Sequence, residues 1–184
     1  FKLLKNEINE NILKDNYNYT FKVGEHIISK PVIVPAGYNL VVNKGTTLKM
    51  TEESFIMVED GSIKFQGTVD EPIEIKSLEK KLSWKGIYIN SNFNEDNISI
   101  VNHVNISGIS YFDNGIIQLT GGLNFINSNV RISNSKIENS FSEDAINIVN
   151  SHFNIRSSEF NKSMSDGLDV DFGKGEIINT NFYN

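Results

Sequence analysis

From Asn129 onward the chain repeats itself. Val130-Arg-Ile-Ser-Asn-Ser-Lys-Ile137 recurs as Phe153-Asn-Ile-Arg-Ser-Ser-Glu-Phe160 and, shortened, as Ile177-Ile-Asn-Thr-Asn-Phe182. The step is 23 residues from Ile132 to Ile155 and 22 from Ile155 to Ile177, and Ile137, Phe160 and Phe182 move by the same amounts. Each unit holds short alternating stretches broken by Asn, Ser, Gly or Asp, none long enough for a helix. The unit therefore reads as one coil of an all-β solenoid, in which residues one repeat apart become neighbours in a ladder. Ile132, Ile155 and Ile177 are expected to form one inward stack, and Ile137, Phe160 and Phe182 another.

Strand signals begin well before the repeat is obvious, at His26-Ile-Ile, Val32-Ile-Val, Tyr38-Asn-Leu-Val-Val, Thr47-Leu-Lys-Met, Phe55-Ile-Met-Val, Ser62-Ile-Lys-Phe and Ile73-Glu-Ile. Pro31, Pro35 and Pro72 sit at the edges of these runs, where a missing N–H costs no ladder bond. Gly45-Thr-Thr and Gly67-Thr-Val are 22 residues apart, the same step again. Aligning the coils gives a small-residue column at Gly86, Gly115, Ala145 and Gly167, followed by an apolar column at Ile87, Ile116, Ile146 and Leu168. The irregular stretches between Lys76 and Asn97 read as loops swelling out of single coils. Phe1, Leu4, Ile8 and Ile12 recur at near-helical spacing, which predicts an amphipathic helix over Phe1 to Asp15. Residues 1–20 are thus expected to cap a solenoid running over 21–184, covering the backbone groups that its first coil leaves unpaired.

With 17 basic and 23 acidic residues the net charge is −6, and no basic stripe is present, so nucleic acid is not an expected partner. Cysteine is absent, which removes disulfides and thiolate chemistry. No apolar run reaches the length of a membrane span. The chain has no initiator Met and stops on a repeat, so a piece of something longer is expected, whose last coil contacts a further domain or another chain.

The most chemically suggestive stretch is Ser165-Asp-Gly-Leu-Asp-Val-Asp-Phe172. With Leu168, Val170 and Phe172 facing inward, alternation sends Asp169 and Asp171 outward, about 6.6 Å apart along the strand. The coil alignment places Asp144 beside Asp166 and Asn147 beside Asp169, with Glu143 adjacent. Carboxylates that close either raise one another's pKa or recruit a cation. Glu143, Asp144, Asp166, Asp169 and Asp171 are therefore expected to hold a divalent cation weakly, calcium being the ion that takes six to eight oxygen ligands. The same acids also suit plain Asx turns at coil corners, and hydrolytic or lyase chemistry is a further reading. Trp84, Tyr88 and Tyr111 combine flat apolar area with a polar edge and would suit sugar rings if they faced outward. Lys85 aligns with Asn114, Asp144 and Asp166, where it could neutralise an acidic sugar. His26, His103 and His152 show no ligand-like spacing.

The run from Gly45-Thr-Thr-Leu-Lys through Gly61-Ser-Ile-Lys-Phe-Gln-Gly-Thr, Glu71-Pro-Ile, Trp84-Lys-Gly-Ile and the Asn-Ser coils resembles the right-handed parallel β-helix superfamily typified by pectate lyases. It resembles more closely the uncharacterised β-helix modules of bacterial surface proteins, some of which accompany CotH-type kinase domains. The resemblance implies a right-handed hand, an extracellular or cell-surface location, a polysaccharide or cell-surface glycan as partner, and an inward turn ladder at Asn134, Ser157 and Asn179. It specifies fold far more than activity. Ser165 to Phe172 also resembles the Asn-Thr-Asp-Gly-x-Asp stretch of polygalacturonase-type hydrolases and the Asp-Gly turns of alginate epimerases. That likeness would make Asp166 the first catalytic carboxylate, with Asp144, Asp169 and Asp171 around it, but the Asp-Asp, Gly-His-Gly and Arg-x-Lys motifs of those hydrolases do not follow. Two functions are expected from these readings: a non-catalytic scaffold module of a secreted or surface protein, or a polysaccharide-active enzyme working on the acidic ridge.

Overall fold

The computed structural model describes residues 11–92, 97–113 and 118–183. Among them there is no helix, and almost every strand belongs to one of three parallel sheets. The chain visits the sheets in strict rotation. The last two turns show the rule: Val130–Ser133, Lys136–Ser140 and Asp144–Val149 lie in the first, second and third sheets, and His152–Arg156, Glu159–Ser163 and Asp166–Asp171 stack on them in the same order. Each strand thus pairs in parallel with the strand one coil away, the arrangement of a β-solenoid.

Because the side chains of a strand alternate, the register builds columns. In the first sheet Val42, Phe65, Val101, Ile132, Ile155 and Ile177 are successive partners. Leu48, Ile75, Ile106, Ile137, Phe160 and Phe182 do the same in the second. The two stacks expected from the repeat are present, and the Phe160 and Phe182 rings lie 4.9 Å apart and nearly parallel. Burial runs out at the last coil: Ile155 is 0% exposed and Ile177 is 45% exposed.

Three alignment details differ from expectation. Leu123, in the strand Gly121–Ile126, stands between Ile87 and Ile146 in the third sheet. Gly115 and Ile116, which sequence alignment put in that column, lie outside the described residues. An inserted hairpin, Phe112–Asp113 against Gln118–Leu119, takes up the extra length. The 22-residue step from Gly45 to Gly67 is not a ladder step, since Thr47 pairs with Glu74 after a longer turn at Thr68 to Glu71. At the N-terminal end the expected helix over Phe1 to Asp15 is contradicted where it can be seen. Ile12–Lys14 is a strand, antiparallel to Asn18–Phe21, and residues 1–10 are outside the described part. A two-residue Asx-type turn, with Asp15 Oδ1 accepting from the Tyr17 and Asn18 amides at 2.7 Å, reverses the chain there.

The corners explain the Asn and Ser content. Left-handed residues fall in columns: His103, Asn134, Ser157 and Asn179 between the first and second sheets, Gly108, Asn139 and Lys162 at the far end of the second sheet, where they interrupt or end its strands, and Asp60, Asn127, Asn150 and Phe172 between the third and first. A residue at φ near +50° throws its side chain outward, and Asn and Asp tolerate that backbone best among L-residues. Asn134, Ser157 and Asn179 are accordingly exposed, and the inward ladder expected at them is formed by their neighbours instead. Ser158 Oγ accepts from the Ser135 amide at 3.2 Å, and Ser135 Oγ accepts from the Val104 amide at 3.1 Å. The hydroxyls of Ser135 and Ser158 in turn donate to the carbonyls of Ser133 and Arg156. Ser151 repeats the pattern one corner away, accepting from the Ser128 amide and donating to the Val149 carbonyl, both at 2.8 Å. Small hydroxyls satisfy buried backbone groups that an apolar side chain would leave bare.

Candidate functional site

The acidic ridge lies on the outer face of the third sheet. Gly121, Asp144 and Asp166 form one column, and Asn124, Asn147 and Asp169 form the next. The two columns lean together. A Cβ on Gly121 would lie 2.8 Å from the Asn147 Cβ, and the same stagger one coil on brings Asp144 against Asp169. The expected pairing of Asp144 with Asp166 and of Asn147 with Asp169 is the observed register.

Asp144 is the unusual member, with only 5% of its surface exposed. Its backbone is held from both sides: its amide donates to the Thr120 carbonyl at 3.4 Å, and its carbonyl accepts from the buried Ser142 hydroxyl at 2.6 Å. Burial pushes its carboxyl up to about 6, and Asp169, Glu143 and Asp166 push in the same direction, while a hydrogen bond from the Thr120 side chain opposes them. Thr120 follows the inserted hairpin and also accepts from Asn147 Nδ2 at 3.3 Å, whereas the buried Asn147 Oδ1 has no partner. Sequence alignment missed Thr120 because it placed the coil at Gly115; the paired glycines Gly121 and Gly122, next to Thr120, were the available signal.

Asp171 stands apart from the other acids of the ridge. Asp169 and Asp171 do share one strand and one outward direction, but Asp171 pairs with Val149 and so has no acid beside it across the ladder. Phe172, expected inward, is a left-handed corner residue and 91% exposed. Among the described residues no group of three or more acids or histidines is placed to hold a metal ion.

The expected aromatic platform is not on the surface. Trp84 is fully buried, its indole N–H donating to the Ser107 carbonyl at 3.0 Å. Tyr88 is buried too, under Phe55 and Phe112, whose rings lie 6.4 and 5.5 Å from its own, and its hydroxyl donates to the Lys85 carbonyl. Burial raises the Tyr88 pKa further from neutrality. The hairpin carrying Phe112 therefore roofs the earlier part of this sheet face, and Tyr111 alone of the three aromatics is exposed. Lys85 pairs with Glu53 rather than with the ridge, and Asn114, its expected neighbour, lies outside the described residues.

Among the described residues no helix is long and apolar enough to cross a membrane. No protein-family model matches the chain, and no curated protein or solved structure matches it.

Proposed function

We propose that this chain is a non-catalytic right-handed parallel β-helix module, pectate-lyase-like in build, of a secreted or surface bacterial protein. Its task is to be a stiff spacer. The observation carrying this reading is where the polar groups go: the inward serines close corner backbone bonds, and several outward charges pair on the sheet surfaces, as in Lys49 with Glu25 at 2.6 Å and Lys136 with Glu138 at 2.7 Å. With Trp84 and Tyr88 inside, glycan contact could not use the aromatic platform those two would have formed. Incubation with a panel of neutral and uronate-containing polysaccharides is expected to yield no new reducing ends and no unsaturated products. Turnover of any of them would overturn the scaffold reading.

One observation favours a second reading, a polysaccharide-active enzyme using Asp144, Asp166, Asp169 and Asp171. A carboxyl held near pH 6 beside another acid is the arrangement that general acid catalysis requires. Under that reading Asp144→Asn abolishes cleavage of the glycan that the panel reveals.

A further inference from the structure

Exposed apolar side chains are not spread evenly over the solenoid. Where the chain passes from the second sheet to the third, Leu78, Leu82, Tyr111, Phe141 and Met164 are all at least 38% exposed. Among the described residues the passage from the first sheet to the second carries only Val23 and Val69, and that from the third to the first only Phe172. The five sit on successive coils: the Leu78 amide donates to the Met50 carbonyl, that of Trp84 to Gly108 and that of Phe141 to Ile109, and Ser140 pairs with Ser163 just before Phe141 and Met164.

Two grooves open on this edge. One, of about 250 Å³, is lined by Met50, Glu52, Leu78 and Leu82 among others, and the second, of about 270 Å³, by Phe141, Lys162 and Met164 among others. They lie three coils apart, about 14 Å at about 4.8 Å per coil, with the coil of Tyr111 midway. Their charges are opposite. Glu52 and Lys162 are exposed, and among the described residues neither is paired with an opposite charge, whereas Glu53 is taken up by Lys85. One coil nearer to Tyr111 on each side, the loop Glu79-Lys80-Lys81 carries one net positive charge and Glu143 one negative.

An edge with this order of signs is complementary to itself when reversed. A two-fold axis through the coil of Tyr111, at right angles to the solenoid, lays Glu52 of one copy towards Lys162 of the other, the Glu79 loop towards Glu143, and Leu82 towards Phe141, each contact made twice. We infer that this edge binds a second copy of the chain, side by side and antiparallel, in a closed two-fold dimer. The inference goes beyond the scaffold reading and holds equally for an enzyme, and the last coil takes no part in it.

Sedimentation equilibrium of the protein at low ionic strength tests it. A monomer–dimer equilibrium is expected, with Kd on the order of 10–100 µM for so narrow a contact and no species larger than a dimer. Glu52→Lys and Lys162→Glu should each weaken it at least about 5-fold, although they move the net charge in opposite directions, and the double variant, which swaps the two charges, should recover the affinity. Phe141→Ser should weaken it about 10-fold. Far-UV circular dichroism establishes that each variant is folded, and the two charge reversals, at exposed positions, decide the matter if Phe141→Ser does not fold. A protein still monomeric at about 1 mM would overturn the proposal and leave the edge to a sugar or a foreign protein. Growth beyond the dimer, a dimer that the single charge reversals leave intact, or a double variant that does not recover would each overturn it too.

Discussion

Inside the solenoid the register puts like upon like and the fold gains from it; on the outer face of the third sheet the same register puts like upon like and the fold loses. Phe125, Ile148 and Val170 stack in one column of that sheet, and Asp144 and Asp166 stack in another only a few residues away. The ladder geometry is identical. Apolar contacts add when repeated, whereas like charges 4.8 Å apart across a ladder oppose each other. A repeating sequence therefore stabilises its core at no cost in specificity but has to break the repeat wherever a charge appears. Along the second sheet it does so, alternating Lys136 with Glu159 in the ladder. At Asp144 it does not.

The largest effect is expected where the interior columns are cut. Phe160 is fully buried and stacked on Phe182, and Phe160→Ala should cost about 3–5 kcal/mol, read as a fall in the denaturation midpoint. A cost below about 1 kcal/mol would mean that the column does not carry the stability assigned to it.

On the outer face the sign reverses. Asp144 has a folded-state pKa of about 6, above the ordinary 3.8. Its protonated form is the one that the fold prefers, so the favourable contribution is complete below about pH 4 and is lost as pH rises through about 6. Asp144→Asn should stabilise the protein by about 1–3 kcal/mol at pH 7 and much less at pH 4. Destabilisation of equal size at both pH values would show that the carboxylate is matched after all.

A corner hydroxyl comes next. Ser158→Ala removes an acceptor from the Ser135 amide and should cost about 1–2 kcal/mol, whereas Ser157→Ala at the exposed neighbouring position should cost little beyond its left-handed backbone. If the two substitutions cost the same, the inward and outward assignments at this corner are wrong. The smallest effect belongs to the surface pair Arg156 and Glu176, 3.3 Å apart and half exposed, for which a double-mutant cycle should give under about 1 kcal/mol.

The interior was legible in the sequence because a ladder writes its period directly into the chain: Ile132, Ile155 and Ile177 needed only counting. The pairing of Asp144 with Asp166 came from the same counting. What failed did so where the period is interrupted or the backbone turns over. The hairpin at Phe112 to Leu119 hid Leu123 and Thr120 behind a plausible glycine at 115, and the left-handed corners sent Asn134, Ser157 and Phe172 outward against simple alternation. Trp84 misled for a related reason. It lies outside the named strands, held by a single bridge to Ile109, so strand alternation says nothing of which way its ring points.

The central claim is that one register governs both faces, and the titration of a single carboxyl tests it most directly. Carbon-detected NMR of the Asp144 side chain should give a midpoint of about 6, moving down when Asp169 and Asp166 are both changed to Asn. A midpoint close to the ordinary aspartate value of about 3.9 in the unaltered protein, unmoved by those substitutions, would place Asp144 in open solvent away from its neighbours and contradict the account.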